Sequence, residues 1–143
     1  MFRKSALLFL LLSAWLRLSA QSVFTVLPLG VKGGLDESNL SAYLVASAGS
    51  SNFVCLDAGT VYSGLTVARK KGSIHKTEPT FLKENIKGYF ISHGHLDHVA
   101  GLILNSPEDS KKLIYALPEV LDVFKSNYFT RNAWANFGSE GEA

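Results

Sequence analysis

One cysteine in 143 residues rules out an intramolecular disulfide. It also excludes a cysteine-rich structural zinc site. That cysteine, Cys55, sits in the apolar run Asn52-Phe53-Val54-Cys55-Leu56-Asp57 and reads as a small buried hydrophobe rather than a reactive thiol. Charge of neither sign is in excess: 14 basic residues face 12 acidic ones, a net of +2. No apolar run is long enough to span a bilayer comfortably, since the longest, residues 6–16, is broken by Arg17. Internal repeats and low-complexity segments are also missing. What remains is 47% hydrophobic and 11% aromatic, the composition of a globular chain of one-domain size.

The first twenty residues stand apart. Arg3 and Lys4 form a short basic head, an apolar run follows, and Leu18-Ser19-Ala20 ends it with small residues. This is the pattern of a secretory signal peptide over residues 1–20, with cleavage expected after Ala20. An uncleaved membrane anchor is the alternative. No cysteine follows Ala20, so nothing indicates a lipid anchor there. The leader carries three of the basic residues (Arg3, Lys4 and Arg17) and no acid, which leaves 11 basic against 12 acidic, about −1. The basic balance belongs to the leader and does not point to a nucleic-acid partner.

Residues 21–143 are expected to open with strands over residues 23–29, 40–46 and 53–56. Pro28 marks the first as an edge strand or as ending there. The turn Gly49-Ser50-Ser51-Asn52 would join the second and third as a hairpin. A helix is expected over residues 61–71, with Leu65 and Ala68 inward and Gly72 as its stop. Residues 73–79 read as a loop holding His75, and 81–85 as a short helical turn. A strand over residues 88–91 precedes a helix over 97–105 that Ser106-Pro107 ends. A strand over residues 112–116 and a helix over 118–128 follow. Trp134 and Phe137 are expected to pack as core or line a pocket. Strands first, then helices alternating with strands, imply an α/β fold: a mixed sheet covered by helices on one side.

The chemistry concentrates in one stretch. Three of the four histidines fall in Ile91-Ser92-His93-Gly94-His95-Leu96-Asp97-His98, between the apolar strand and the next helix. Residues two apart in an extended segment point the same way, so His93 and His95 can converge on one ion. Gly94 would keep the space between them clear. Asp97 and His98, one turn further on, can reach a second ion. Imidazole with carboxylate suits zinc, iron or manganese better than calcium. Upstream, Asp57-Ala58-Gly59-Thr60 closes the third strand. Two roles are open for it: Asp57 supports the histidine turn by hydrogen bonding, or Asp57 or Thr60 caps the next helix.

The run His93-Gly94-His95-Leu96-Asp97-His98 resembles the signature of the metallo-β-lactamase superfamily. With its continuation from Val99 to Pro107, it resembles that of the class II cyclic-nucleotide phosphodiesterases. The segments from Asn39 to Val45 and from Asp57 to Thr60 add to the likeness, which runs from about Val23 to Phe137. The resemblance implies a metallo-β-lactamase-like αββα sandwich and two divalent metal ions, usually zinc. His93 and His95 would hold the first ion, and Asp97 and His98 the second. Asp97 would also be catalytic by orienting the water. The implied substrate is a small-molecule cyclic nucleotide, cyclic AMP and often cyclic GMP, hydrolysed to the 5′ monophosphate. Together with the leader, the resemblance implies a periplasmic or secreted protein with no stable membrane insertion after cleavage. The family's site also uses a further histidine for each metal and a bridging acid downstream, whereas no histidine follows His98 here. The chain is therefore expected to be the N-terminal half of such a domain, truncated and inactive alone. The rival reading is a different hydrolase of the superfamily, acting on an ester, thioester or lactam.

Overall fold

The computed structural model describes residues 22–138. The expected leader lies outside the described residues. Alternating apolar residues build five strands: β1 (Phe24–Gly30), β2 (Ala42–Ser47), β3 (Phe53–Leu56), β4 (Ile86–Phe90) and β5 (Leu113–Tyr115). They form one sheet in the order β1-β2-β3-β4-β5. The first two pairings are antiparallel and the last two parallel, so the sheet is mixed. The parallel pairs need crossovers. Helices α1 (Tyr62–Lys70) and α2 (Glu78–Asn85) connect β3 to β4, and α3 (Leu96–Asn105) connects β4 to β5. A short α4 (Pro118–Val123) runs directly into a π-helical turn, Phe124–Tyr128.

Strand register sorts the side chains. Leu27, Leu44, Cys55, Tyr89 and Ile114 pair across the sheet in one row. That row belongs to the core, together with Leu65 and Ala68 of α1, Phe81 and Leu82 of α2, and Val99 and Leu102 of α3. Leu44, Cys55 and Leu65 are wholly buried. Each buried Leu or Ile of this kind contributes about 1.5–3 kcal/mol. Alternation places the next row, Pro28, Tyr43, Leu56, Phe90 and Tyr115, on the opposite face. Leu56, Phe90 and Tyr115 are exposed there. The helices thus cover one side of a mixed sheet, as expected, and the architecture is one helix layer and one sheet layer.

Several boundaries differ from the expectations. Pro79 does not close a loop; it stands in the first turn of α2, where its fixed φ suits a helix start. The short turn expected at 81–85 is therefore an eight-residue helix from Glu78. Leu40 is not in β2: it makes a lone bridge with Lys32, and its N–H donates to Thr60 Oγ1 at 2.8 Å. β4 begins at Ile86, directly after α2. The helix expected over 118–128 changes to π-helical hydrogen bonding at Phe124. Trp134 packs partly buried against the core, and its Nε1–H donates to Ser106 Oγ, whereas Phe137 is exposed. No helix among the described residues is long and apolar enough to cross a membrane.

The far end of α3 is also tied down. Tyr89 Oη donates to Asp109 Oδ2 at 2.8 Å, and the Lys112 ammonium pairs with the same carboxylate. The Lys112 and Asp109 side chains are nearly buried. A buried pair of this kind holds only when each charge is matched, and it fixes the loop after α3 against β4 and β5.

Candidate metal centre

The histidine turn leaves the C-terminal end of β4. Ile91 is buried, and its N–H donates to Tyr115 O at 2.9 Å, which extends the sheet by one residue. Ser92 to His95 then turn the chain, and α3 starts at Leu96. Asp97 lies in the first turn of α3, where the helix end favours negative charge. Gly94 does not hold open a space between two histidines. A Cβ there would lie 2.8 Å from Val123 Cγ1, so its room is taken by α4. Tyr128 Oη donates to Gly94 O at 2.7 Å and pins the turn from the same side.

Asp57 supports this turn from β3. Its φ of 53° is in the left-handed region, which aspartate tolerates better than most residues. Its N–H donates to Phe90 O at 2.8 Å. Its carboxylate accepts Ser92 N–H at 2.8 Å, Ser92 Oγ–H at 3.0 Å and His98 Nδ1–H at 2.7 Å. Burial alone would raise the Asp57 carboxyl pKa; the bonds from Ser92 and His98 outweigh it and hold the pKa below the usual value. Of the two roles open in the sequence, the structure shows the hydrogen-bonding one. Thr60 does not cap α1 either: its Oγ1 accepts from Leu40 N and donates to Glu37 O.

An ionised Asp57 only accepts, so His98 donates to it through Nδ1, and Nε2 is the ring atom left to face a ligand. Ser92 gives its proton to Asp57 and can then accept one from His93 Nδ1, 3.0 Å away. His93 Nε2 is likewise the ring atom outside this network, so both rings would coordinate through Nε2, the usual arrangement around a metal ligand.

His93, Asp97 and His98 each offer one ligand atom, and these atoms all lie within 4.8 Å of one another. His98 Nε2 and Asp97 Oδ2 are 3.5 Å apart. Two donors about 2.1 Å from one tetrahedral ion sit about 3.4 Å from each other. The donor types suit a transition metal, and the His98–Asp97 pair has the spacing of two ligands on one ion. His95 lies outside this group. It is exposed at the start of α3, its ring edge-on to His93 with centroids 4.8 Å apart. The cause is local: the chain becomes helical at Leu96 and brings Asp97 and His98 back towards His93. His75 is exposed in the loop after α1 and takes no part.

Three contributors were not visible in the sequence. Ser92 links Asp57 to both rings. Tyr128 stands in the sequence only as the end of the helix expected over 118–128. The Gly34 N–H donates to Asp97 Oδ2 at 3.2 Å from 63 positions away. A groove of about 540 Å³ adjoins the turn, lined by Phe90, Ile91, Ser92, Ile114, Tyr115 and Leu117 among others.

Known proteins share both sequence and fold with this chain. A 3′,5′-cyclic-nucleotide phosphodiesterase from Aliivibrio fischeri is 50% identical over 150 aligned positions, which cover 97% of this chain and 45% of that protein. A Dictyostelium discoideum protein, cAMP/cGMP-dependent 3′,5′-cAMP/cGMP phosphodiesterase A, is 46% identical over 60% of this chain and 22% of its own length. The crystal structure of unliganded yeast PDE1 has the same fold, with a TM-score of 0.67 at 21% identity, over 82% of this chain and 48% of that one. The chain thus spans less than half the length of these relatives. The family profile described as cAMP phosphodiesterases class-II matches residues 23–143, and the chain belongs to that family.

Proposed function

We propose that this chain carries the metal-binding turn of a hydrolase that opens 3′,5′-cyclic nucleotides to 5′ monophosphates, with cyclic AMP as first substrate and cyclic GMP as second. The convergence of His93, Asp97 and His98 within 4.8 Å, backed by Asp57, carries the reading. The phosphodiesterase names of its relatives support it. His95, beside His93 but outside that group, would have to turn inward to add a fourth donor, and the site would take two divalent ions, zinc by preference of the donor set. Such ions would polarise a phosphate oxygen and lower the pKa of water. In the reaction, water adds to phosphorus, the P–O3′ bond breaks, and the 3′ oxygen takes a proton.

This chain's residues do the positioning. Asp57 and Ser92 fix the rings of His98 and His93, so that little reorganisation is needed when ligand arrives. Asp97 accepts a proton or orients the water beside the two Nε2 atoms. A leader over residues 1–20 would place the protein in the periplasm or outside the cell, with no stable membrane insertion once cleaved. The substrate is a small molecule and not a nucleic-acid polymer.

The test is release of 5′ AMP from cyclic AMP by the complete, metal-loaded protein, of which this chain is read as the N-terminal half. Asp97→Ala and His95→Ala should each lower kcat/KM at least 100-fold, and chelation should abolish turnover until zinc is restored. Asp57→Asn should weaken zinc binding about 10- to 100-fold, as loss of a partner behind a ligand does. Undiminished cyclic AMP turnover in Asp97→Ala, or turnover of a thioester or lactam with none of cyclic AMP, refutes the reading.

A further inference from the structure

The loop between β1 and β2 has a built stem and a bare tip. Val31 and Lys32 N–H both donate to Asn39 O, at 3.1 and 2.8 Å. Lys32 bridges Leu40, and Thr60 Oγ1 holds both Leu40 N and Glu37 O. Asp36 accepts Ser38 N–H and Oγ–H. At the tip, Gly34 has φ +67°, and a Cβ there would meet nothing within 4 Å. Its need for glycine is therefore conformational and not steric. That conformation turns its N–H onto Asp97 Oδ2 at 3.2 Å. Gly33 is the reverse case. Its φ is outside the left-handed region, but a Cβ would lie 3.3 Å from Asp97 Oδ2, tighter than ordinary contact.

We propose that Gly33 and Gly34 are positioning residues for Asp97: one donates a backbone N–H that sets the carboxylate's rotation, and the other leaves the room for it. Oδ2 is also the oxygen 3.5 Å from His98 Nε2. A carboxylate can accept several bonds, so the Gly34 N–H can hold Oδ2 in place and leave it free to face His98 Nε2. Asp97 is partly exposed and would otherwise sample several rotations. The loop stem makes the donor rigid, and the site gains a fixed oxygen from a segment that carries no ligand itself. This inference rests on Asp97 being a metal ligand, as read above.

Gly49 supplies the control. It has φ +78° and open space around a Cβ, in the turn between β2 and β3. Gly34→Ala and Gly49→Ala therefore impose the same backbone strain, but only Gly34 touches Asp97. Cobalt(II) affinity and the visible spectrum of bound cobalt(II) are measured in the full chain, with thermal unfolding alongside. Gly34→Ala and Gly33→Ala should weaken cobalt binding about 10-fold and shift its absorption bands. Gly49→Ala should lower Tm as much as Gly34→Ala while changing cobalt affinity less than twofold. Equal affinities and identical spectra for Gly33→Ala, Gly34→Ala and wild type overturn the proposal. Unchanged cobalt affinity in Asp97→Ala instead overturns the ligand reading beneath it, and the proposal with it.

Discussion

Gly59→Ala is the most demanding test of how the site is assembled. A Cβ at Gly59 would lie 2.0 Å from Asp97 O and 2.6 Å from Leu40 Cβ. Ordinary contact begins near 3.4 Å, so backbone must move by about 1 Å or more. The first turns of α3 have no slack to give. Ala58 N–H donates to His98 O at 2.7 Å, Gly101 N–H to Gly59 O at 2.9 Å, and Leu102 N–H to Ala58 O at 3.1 Å. Shifting α3 weakens those bonds, each contributing about 1 kcal/mol. Holding it in place compresses the contact, at about 1–3 kcal/mol. Either route costs about 3 kcal/mol, a large part of a total stability of about 5–15. With a urea slope of about 1.5 kcal/mol/M, the unfolding midpoint should fall by about 2 M. Asp97 and His98 ride on the displaced helix, and on the reading proposed above a misplacement of about 1 Å would cost the complete enzyme about 100-fold in rate. Urea unfolding followed by circular dichroism reads the first effect, and cyclic AMP hydrolysis by the complete protein the second. A midpoint within about 0.3 M of wild type would refute the argument that the turn after β3 and the start of α3 are locked backbone to backbone.

Two further outcomes follow from titratable groups outside the site. A bond from its own backbone N–H, and then the Arg69 guanidinium at 3.0 Å, hold the Glu78 carboxyl below its ordinary 4.5. A carboxyl lowered on folding adds stability that is fully present above 4.5 and is lost as pH falls through the lowered value. The stability difference between wild type and Glu78→Gln should therefore shrink as pH drops from 7 towards 3, and parallel curves over that range would contradict it. Cys55 is wholly buried, and burial, then the Asp57 charge, push its thiol pKa far up. At pH 8 the native protein should leave a thiol reagent unreacted and consume one equivalent after denaturation; native labelling within minutes would count against the packing.

The sheet was legible in the sequence because alternation is a local signal. Phe53–Leu56 shows its inward residues, Phe53 and Cys55, at every second position, and glycine and serine mark the hairpin before it. The start of α2 was not legible. Proline at 79 ends a loop as readily as it begins a helix, and only the packing of Phe81 and Leu82 into the core decides. Nor does any punctuation separate Asn85 from Ile86, where helix gives way to strand. The site divides in the same manner. His93 to His98 are neighbours in sequence, so their cluster was visible. Which of them share one point was not, because that depends on where α3 begins. Asp57 reaches His98 across 41 positions, and Gly34 reaches Asp97 across 63. Such pairs exist only through strand pairing and loop closure, which no window of sequence contains.

The strand order has a consequence for synthesis. Because spatial order copies chain order, each strand emerging from the ribosome finds its neighbour already laid down, and none has to be threaded between two others. β4 arrives fourth, and the turn from Ser92 to His98 follows it. Those side chains can close on Asp57 only once that strand has joined the sheet.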